Sequence, residues 1–367
     1  MKRPLSHISL LIILVGLLAA CRSAHNVLPT IVIEQADSIP YTRQWHEANL
    51  LQATDTLTMQ LKGRGHSTFR QPKHPYAMRL AKKQPLCGMP AHRHWVLLAN
   101  FFDHSLMRNA LAMEVARQTS LSEVTPHGRF VSLKYNDQWQ GIYWLSERVK
   151  DKISKTDSLL KLDAYSSEKR RKQGTSVVDM PRDLPIDTLS FVDWWLIHEL
   201  CMNAEPNGPR SCYVRIVSSD TLKAGPVWDF DMAFNEVGVD DGGDLRPEKF
   251  KQAKVLPAFL KNKQIRWLTT DSLYCTNSIM LERLINDPRF YALSRNRWHE
   301  LRPRFRRLDG YIAHCANLLK AQAERDQQLW NKREPARFDP SSTWAEAVRR
   351  LRTTYHKRVK ALDAIFK

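Results

Sequence analysis

The sequence has little cysteine and little glycine, and both shortages argue against certain classes of protein. It contains 13 glycines in 367 residues and no internal period, which argues against a repeat architecture. It contains 6 cysteines, and the first of them ends an N-terminal apolar segment. The others are odd in number and match no zinc-ligand spacing, so a complete disulfide framework is not expected. We predict buried free thiols, with a Cys201–Cys212 disulfide as the alternative.

Acidic residues are also scarce relative to basic ones. There are 38 Asp and Glu against 56 Lys and Arg, which gives a formal net charge of +18. Such an excess indicates an acidic partner, which can be a phosphate group, anionic lipid, anionic glycan or nucleic acid. The basic residues are densest in 295–307 and 349–360. Both stretches have the pattern of helices with solvated faces, and solvation is the simpler explanation of their charge.

The N-terminus has the pattern of a secretory signal. Lys2 and Arg3 precede an apolar segment over 8–18, and the sequence LAAC then ends at Cys21. This pattern predicts a signal peptide over 1–20, too short to stay in a bilayer as a permanent helix. The LAAC ending resembles a bacterial lipobox, in which Cys21 becomes lipid-modified; the alternative is an ordinary signal peptide with a coincidental cysteine. We therefore expect a lipid-anchored protein of the bacterial cell envelope, on the periplasmic or surface side of the outer membrane, without a nucleic-acid partner.

From residue 28 to about 150 the chain has mainly β-strand patterns. Strands are predicted at TIVIEQ, TLTMQLKG and YAMRL, and RFVSLKY and WQGIYWLSE flank a short turn as a hairpin. One helix is predicted over 104–118, with Asp103 as its N-cap. We interpret 21–30 as a linker and 31–150 as a β-rich N-lobe.

The remainder, 151–367, is predicted to be a helical C-lobe. Its first helix is the apolar segment DTLSFVDWWLIHELCMN, followed by the loop AEPNGPR and a hairpin made of SCYVRIV and LKAGPVWDF. After residue 256 only helices are predicted, the first at SIMLERLI, and 163–183 is interpreted as a linker or insertion between the lobes. The fold class is therefore α+β.

Two aspartates, Asp229 and Asp231, lie one residue apart in the apolar, aromatic stretch AGPVWDFDMAF. Burying a carboxylate without compensation is costly. Backbone donors, a cationic side chain or a metal ion that carries phosphate could each compensate this pair. Mg²⁺ commonly uses one or two carboxylates together with phosphate oxygens. The alternative without metal is a pair that caps a turn or forms salt bridges to arginine.

Six motifs, in this order, resemble those of the CotH (spore coat protein H) kinase family of atypical protein kinases. Each is weak alone, and together they are specific. The six are LKGRGHST (61–68), PKHPYAMRL (72–80), HWVLLANFFDHSLMRNALA (94–112), GIYWLSE (141–147), HELCMNAEPNGPRSCYV (198–214) and GPVWDFDMAF (225–234).

The resemblance implies a fold, cofactors and a reaction. The fold is an atypical protein-kinase-like bilobal fold, with a β-rich N-lobe and a helical C-lobe. The cofactors are ATP and Mg²⁺ or Mn²⁺, and the reaction transfers the γ-phosphate to Ser or Thr of an envelope protein. In such a fold a catalytic loop, a hairpin and a metal-binding aspartate follow one another. The resemblance assigns the metal to Asp229, Asp231 and Asn207.

The resemblance also implies residues that bind the nucleotide. The glycines of KGRGHS would let backbone N–H groups approach phosphates, although Gly-x-Gly occurs in many ordinary turns. Lys73 and Arg79 are alternative cations for the phosphates, and Arg108 contacts either phosphate or an acidic residue. Glu147 falls where a hinge would hold adenine through its backbone. The implied set is Gly63, Arg64, Gly65, Ser67, Lys73, Arg79, Arg108, Glu147 and Asn203.

One position departs from the family pattern. The family's loop generally carries Asn-x-Asp, whereas this sequence has Asn203-Ala204-Glu205. Glu205 would replace the carboxylate that orients or deprotonates the acceptor hydroxyl, completing a catalytic set with Asp229 and Asp231. Its extra methylene moves that group by about 1 Å or more, and such a misplacement can cost about 10²-fold in rate. This departure leaves open a catalytically weak pseudokinase that serves as a cell-surface binding or adhesion module. A carbohydrate-associated envelope protein is a separate alternative, for which exposed tryptophan would be the evidence.

Overall fold

The computed structural model describes residues 27–52, 55–162, 181, 183–208, 211–217, 220–240, 245–247, 251, 264–276, 278, 280–331 and 339–367. The predicted signal peptide, Cys21 and most of the predicted linker over 163–183 lie outside the described residues. Among the helices that are described, none is both long enough and apolar enough to cross a membrane.

Seven strands of the N-terminal part form a closed barrel in the order β1-β2-β3-β4-β5-β7-β6. Neighbouring strands are antiparallel, except that β1 and β6 are parallel and close the barrel. The strands are β1 (Thr30–Glu34), β2 (His46–Gln52), β3 (Asp55–Gly63), β4 (Tyr76–Leu86), β5 (Met89–Leu98), β6 (Gly128–Tyr135) and β7 (Gln138–Glu147).

The burial pattern of each strand follows from its place in the barrel. In β1, Ile31 and Ile33 point into the barrel and their neighbours are more exposed, as expected for a strand with one solvent-exposed face. Parts of β5 to β7 are buried on both faces because helices cover them from outside, namely residues 95–98, 130–133 and 141–147. Leu97 belongs to the cluster inside the barrel, whereas Leu98 belongs to the cluster formed with the helices.

The rest of the described chain consists of helices and two small sheets. The sheets are three-stranded, in the orders β10-β9-β8 and β12-β11-β13. Short 3₁₀ turns occur at 68–70, 122–124, 149–152 and 205–207. The helices are α1 (Arg108–Arg117), α2 (Thr188–Leu200), α3 (Pro288–Asn331) and α4 (Trp344–Ile365); the strands are β8 (Ser158–Leu162), β9 (Cys212–Val217), β10 (Thr221–Ala224), β11 (Val237–Asp240), β12 (Leu245–Pro247) and β13 (Ile265–Leu268).

The helices pack on one another around buried ion pairs as well as apolar side chains. Arg358 of α4 lies 2.8 Å from Glu199 of α2, and both side chains are fully buried. Glu199 also accepts hydrogen bonds from the N–H groups of Tyr274 and Cys275, each at 2.8 Å. A fully buried ion pair is tolerated only when the remaining hydrogen-bond donors and acceptors of both side chains are also satisfied. This network fixes α2, α4 and the segment after β13 to one another.

The predicted bilobal kinase-like fold is wrong. The described residues form a closed barrel, two small sheets and four α-helices, and the C-terminal part is not a helical lobe. It contains the strands β8 to β13, and the helix predicted at SIMLERLI is a series of turns over 280–286. The physical reason is that parallel pairing of β1 with β6 closes the sheet, and the helices then pack on the outer face of β5 to β7 in a shared core.

Several local predictions are confirmed. Strands β1 and β3, the β6–β7 hairpin and the helices α1 and α2 lie where the sequence patterns indicate, within a few residues. The hairpin after α2 is present, but its second strand ends at Ala224. Five cysteines are free thiols: Cys87, which is half-buried, and the buried Cys201, Cys212, Cys275 and Cys315.

Candidate functional site

The aspartate loop, residues 225–235, follows β10 and is held by two helices. The Phe230 N–H donates to Asn109 Oδ1 of α1 at 2.8 Å. The Phe234 N–H donates to the carbonyl oxygen of Cys201, after α2, at 2.7 Å. Both phenylalanine rings are buried in the core. The aromatic residues of the loop therefore fix the backbone that carries the two aspartates.

The two carboxylates of this loop have different environments. Asp229 is half-buried, has a φ of 73° and accepts a hydrogen bond from Ser211 Oγ at 2.9 Å. Asp231 is only 6% exposed. Burial raises the pKa of Asp231 to about 8, and the negative charges of Asp229 and Asp103 act in the same direction, against Arg108. Burial and the neighbouring carboxylates thus outweigh the positive charge of Arg108, and a bound cation would add to that charge.

Arg64, in the loop after β3, interacts with both aspartates through its charge. The side chain is half-buried, and its guanidinium carbon lies 5.7 Å from the centroid of the Trp228 ring. Burial lowers the pKa of Arg64, whereas the negative charges of Asp229 and Asp231 raise it. Because an arginine remains protonated in proteins, the aspartate loop faces a permanent positive charge from the glycine-containing loop.

Arg108, the first residue of α1, holds the aspartate loop through its backbone. Its guanidinium donates to the carbonyl oxygen of Asp231 at 3.4 Å and to Asp339 Oδ2 at 2.7 Å. Its Nε lies 3.4 Å from Asp103 Oδ1. The predicted N-cap at Asp103 is wrong, because the helix begins at Arg108 and Met107 is its N-cap. Asp103 nevertheless accepts the Arg108 N–H at 2.8 Å and so satisfies the first N–H group of the helix. In this structure Arg108 therefore contacts acidic residues, one of its two predicted roles.

The two alternative cations for the phosphates have other partners. Lys73 is buried; its Nζ donates to Asp326 Oδ2 of α3 at 2.7 Å and to the carbonyl oxygen of Ile142 at 2.8 Å. Burial lowers the pKa of Lys73, and the charge of Asp326 opposes this. Arg79 lies on the outer face of β4, where its Nε donates to Gln60 Oε1 at 2.9 Å. The sequence did not show that Lys73 is buried in an ion pair whereas Arg79 lies on the outer face of the barrel.

The glycines of the loop after β3 have packing reasons to be glycine. A Cβ at Gly63 would lie 2.6 Å from the Phe69 ring and 2.7 Å from the Tyr41 ring. Gly65 has a φ of +89°, and a Cβ there would collide with the hydroxyl of the threonine three residues later. Close ring packing therefore accounts for Gly63 and a positive φ for Gly65, whether or not phosphate approaches the loop.

Glu147, at the end of β7, lies in a cluster of basic side chains. Its Oε1 lies 2.8 Å from His92 Nε2, and its Oε2 accepts the His127 N–H at 2.8 Å. Lys152 Nζ is 3.5 Å from Oε2. Burial raises the pKa of Glu147, but these contacts outweigh burial and hold the pKa below its usual value. The Glu147 N–H donates to the His127 carbonyl oxygen at 3.0 Å, so the backbone donor that a hinge would offer to adenine is engaged within the barrel.

The turn that carries Glu205 lies beside the end of the aspartate loop. Met202 and Ala204 pack in one cluster with Met232 and Val237. Glu205 itself is 8% exposed and begins a 3₁₀ turn over the next two residues. The turn that departs from the family pattern thus packs beside the end of the loop that carries the aspartates.

Two asparagines shape this turn. Asn203 Oδ1 accepts the Glu205 N–H at 3.2 Å. The Asn207 amide donates to the Tyr274 carbonyl oxygen at 2.6 Å and accepts the Thr276 N–H at 3.2 Å. Asn207 therefore fastens the turn to the segment after β13.

The structure thus brings together part of the predicted set. Arg64 interacts with Asp229 and Asp231 through its charge, Arg108 donates to the backbone of Asp231, and the turn with Glu205 packs beside the end of their loop. Four other predicted residues make their contacts elsewhere or are exposed: Lys73, Arg79, Glu147 and Ser67.

A family model described as CotH kinase protein matches residues 61–184 and 179–362. The chain belongs to the CotH kinase family. The resemblance drawn from six motifs is confirmed, and the match continues beyond the last of those motifs to residue 362. A search among curated proteins finds no match.

CotH membership suggests ATP and a divalent metal, and the aspartate pair can be tested for its fit to such an ion. Within the part of the chain that the structure describes, no group of three or more His, Cys, Asp or Glu side chains is arranged to hold a metal. Mg²⁺ is commonly bound by one or two carboxylates, with water and phosphate as its other ligands. Asp229 and Asp231 supply two carboxylates to such an ion, so its other ligands would be water and phosphate oxygens.

Two acidic partners of predicted residues in this CotH protein were not themselves predicted from the sequence. Asp326 and Asp339 lie in the C-terminal part, yet their carboxylates are buried against Lys73 and Arg108. The local signal for Asp326 is weak: it lies at helical spacing from the buried Trp330, on the apolar side of α3. No local pattern identifies Asp339.

Proposed function

We propose that this CotH-family protein is an atypical Ser/Thr protein kinase that transfers the γ-phosphate of ATP to a protein of the bacterial cell envelope. The observation that carries the proposal is the aspartate pair. Asp231 is buried, its pKa is raised to about 8, and a second carboxylate, Asp229, lies beside it. In a kinase-like family, two neighbouring carboxylates whose negative charge is only partly offset by Arg64 and Arg108 are suited to a divalent cation bound together with phosphate.

The residues of the aspartate loop would bind Mg²⁺-ATP or Mn²⁺-ATP. The metal ion, when bound, neutralises negative charge on the phosphates. Asp229 and Asp231 would hold the ion, and Asn207 has its amide engaged with the segment after β13. Arg64 is partly exposed beside the pair, so its guanidinium can donate to phosphate oxygens. Arg108 would keep the backbone of Asp231 in position.

Glu205 is the proposed group that prepares the acceptor hydroxyl. Its carboxylate would take the hydroxyl proton while the oxygen attacks the γ-phosphorus and ADP leaves. The support for this role is its place in the family motif and the packing of its turn against the end of the aspartate loop. An extra methylene, relative to Asp, predicts a slow enzyme unless the 3₁₀ turn compensates for the length.

The second candidate is a pseudokinase that binds a ligand at the cell surface without phosphate transfer. Two observations favour it. Arg64 already offsets part of the negative charge of Asp229, which makes a cation less necessary. The Asn-Ala-Glu sequence at 203–205 also departs from the family's Asn-x-Asp.

We further propose that Cys21 carries a lipid anchor and that the partner is an envelope protein with accessible Ser or Thr residues. The support is the LAAC sequence at the end of the predicted signal peptide. Lipid on one residue adds about 0.8 kcal/mol per buried CH₂, so two or more acyl chains would hold the protein on a membrane.

Calorimetry and a transfer assay together test this proposal. Purified protein is titrated with ATP in the presence of Mg²⁺ or Mn²⁺, and phosphate transfer is measured with radiolabelled ATP, to the protein itself and to a basic protein rich in Ser and Thr. Asp231→Asn should abolish metal-dependent binding. Asp309→Asn is the matched control, because Asp309 lies in an exposed pair with Arg352 and the substitution is chemically the same.

The outcomes separate the two candidates. Metal-dependent binding with transfer supports the kinase. Binding without transfer, with either ion, supports the pseudokinase. If the wild-type protein binds no nucleotide with either ion, both candidates lose their basis in the aspartate pair.

A further inference from the structure

A cavity of about 240 Å³ opens at one end of the barrel. At this end β1, β3 and β6 finish and β2, β4 and β7 begin, so six strand ends surround the cavity. Its floor is formed by residues such as Leu61 and Tyr76, which belong to the apolar cluster inside the barrel. We call this feature the mouth cavity. It is distinct from the aspartate loop, none of whose residues line it.

The mouth cavity is lined by aromatic rings with polar edges. Tyr41, Tyr76, Tyr135 and His74 are among its lining residues. Tyr41 is stacked between Phe69 and His74, so its two faces are already covered. The Tyr135 hydroxyl donates to Gln35 Oε1 at 2.6 Å. By contrast, no described residue hydrogen-bonds the Tyr76 hydroxyl or the His74 ring, although both lie at the cavity. The cavity therefore offers an aromatic and apolar lining together with polar atoms whose hydrogen-bonding capacity is available to a ligand.

The charge of the lining restricts the class of ligand. No carboxylate is among the described residues that line the mouth cavity, and Lys62 is the one lysine or arginine. The Lys62 ammonium lies 4.6 Å from the centroid of the Trp45 ring, so an aromatic ring already faces this charge. Gln140 adds an amide, which both donates and accepts. A cationic ligand would find no counter-charge here, and a neutral ligand with several hydroxyl groups would find donors and acceptors.

The ring geometry also favours a ligand that lies on one aromatic face. A flat base held between two rings needs about 7 Å between their planes, twice a carbon–carbon contact of about 3.5 Å. Tyr41 and His74 stack on each other with centroids 3.7 Å apart, and Tyr76 and Tyr135 are 5.8 Å apart. Neither pair leaves such a slot. A sugar ring places its C–H face on a single tyrosine and directs its hydroxyls to the surrounding polar groups.

From this geometry we infer that the mouth cavity binds a neutral sugar, of about one ring in size. A volume of about 240 Å³ is below the roughly 300–1,000 Å³ of pockets for drug-sized ligands, so one pyranose with part of a neighbour is the expected occupant. The inference does not rest on the proposed kinase function. Gly63 lines the cavity, however, while the adjacent Arg64 faces the aspartate loop, so a bound sugar would contact the back of the glycine-containing loop.

Saturation-transfer NMR with the full chain tests the inference. The probes are glucose, galactose, mannose and N-acetylglucosamine at millimolar concentration, and adenosine is tested separately. Tyr76→Phe keeps the ring in the barrel core and removes the hydroxyl; His74→Phe keeps the stack on Tyr41 and removes the ring nitrogens. Each should weaken sugar binding about threefold to tenfold, as expected for one hydrogen bond between neutral groups. Tyr291→Phe, on the exposed side of α3, is the matched control and should leave binding unchanged.

The proposal is supported if at least one sugar binds and both cavity variants weaken it. It is overturned if no probe sugar binds, or if a sugar binds equally well to both variants, because it then occupies another surface. It is also overturned if adenosine binds with the same dependence on Tyr76 and His74 while the sugars do not. Loss of ATP binding in Asp231→Asn, with sugar binding retained, would show that the mouth cavity acts independently of the aspartate loop.

Discussion

The Lys73 ammonium lies 2.7 Å from Asp326 Oδ2, with both side chains buried and 253 residues of sequence between them. Asp326 also accepts the Ile142 N–H, at 2.6 Å, and Lys73 donates to the carbonyl oxygen of the same residue. The pair therefore joins the start of β4, the middle of β7 and the end of α3. Lys73 has the environment of a structural cation, although the sequence predicts it as a phosphate-binding one.

Replacing either member of this pair should destabilise the protein strongly. Lys73→Met or Asp326→Asn leaves the partner buried without its counter-charge, which typically costs about 3–5 kcal/mol. The double variant should cost less than the sum of the two. Arg352→Met is the control, since its pair with Asp309 is exposed and worth about 0–1 kcal/mol. Denaturant unfolding measures all four, and a loss below about 1 kcal/mol in both single variants would argue against a structural role.

Replacing the ionisable group of Asp231 should stabilise the metal-free protein. The folded state holds this carboxyl in a buried place beside Asp229, which raises its pKa to about 8. Asp231→Asn removes the group that is costly to ionise there, so we expect the free energy of unfolding to rise by about 1–3 kcal/mol at neutral pH, within the range typical of buried polar changes. Asp309→Asn should not raise it. Thermal or urea unfolding without metal is the measurement; a clear destabilisation would mean that the Asp231 charge is well compensated by the protein.

Local sequence patterns predict the elements of this fold better than their arrangement. Strand β1 and the β6–β7 hairpin alternate in polarity, and the apolar α2 has an unmistakable pattern. Strand β2, HEANLLQ, was missed because it contains no β-branched residue and its alternation is imperfect. The pairing of Ile31 with Leu133 that closes the barrel joins strands about a hundred residues apart, and no local pattern encodes it.

The same limit applies to the candidate site. Asp229 and Asp231 were predicted because carboxylates in an aromatic run are unusual, and the family motif gave them a role. The environment of Arg108 depends on Asp339, which is 231 residues away along the chain. Whether a cation contacts phosphate or an acidic side chain is decided by such distant partners, so sequence reasoning left both roles open.

His198 should make stability depend on pH below the ordinary pKa of histidine. Its ring centroid lies 4.2 Å from that of Trp194 and 4.9 Å from that of Phe230, and burial lowers its pKa to about 3. The unfolded chain takes up a proton near pH 6.5, while the folded chain stays neutral. The free energy of unfolding therefore falls as pH drops below about 6.5, by about 1.4 kcal/mol per pH unit for this group.

Denaturant unfolding at several values between about pH 5 and 7 checks this prediction. His198→Phe preserves the stacked rings. The slope of the unfolding free energy against pH should become smaller than in the wild type by the contribution of about one proton. His314→Phe, at an exposed position of α3, is the control for the loss of a histidine in general. An unchanged slope in His198→Phe would show that this imidazole is accessible to protons in the folded state.

The sequence around Cys21 predicts that the mature protein begins with a lipid-modified cysteine. Intact-mass analysis of protein from membranes should show an N-terminus at Cys21 with an added mass of acyl chains. Cys21→Ser should release the protein from the membrane fraction, because serine cannot carry the acyl chains that are predicted to anchor it. Cys87→Ser is the control for loss of a thiol. An unmodified N-terminus at another position would contradict the assignment.

Glu205 gives the sharpest test of activity, because it is the position at which the chain departs from its family. Glu205→Gln keeps size and hydrogen bonding but cannot accept the hydroxyl proton, so phosphate transfer should fall by about 10²–10⁴-fold. ATP affinity should stay nearly unchanged, since this carboxylate serves the acceptor and the aspartate pair serves the nucleotide. Glu346→Gln, at the exposed start of α4, is the matched control.

Glu205→Asp then tests whether the longer side chain limits the rate. Transfer equal to or higher than that of the wild type would mean that the extra methylene of Glu205 misplaces the carboxylate relative to the acceptor hydroxyl. A displacement of about 1 Å can cost about 10²-fold in rate. Lower transfer would mean that the backbone of the 3₁₀ turn at 205–207 places the carboxylate correctly only with the longer side chain of Glu. Full activity of Glu205→Gln would remove the catalytic role from this residue, and Asp231 would become the next candidate. A wild-type protein that binds ATP but transfers nothing, even with Mn²⁺, would make the chain a pseudokinase.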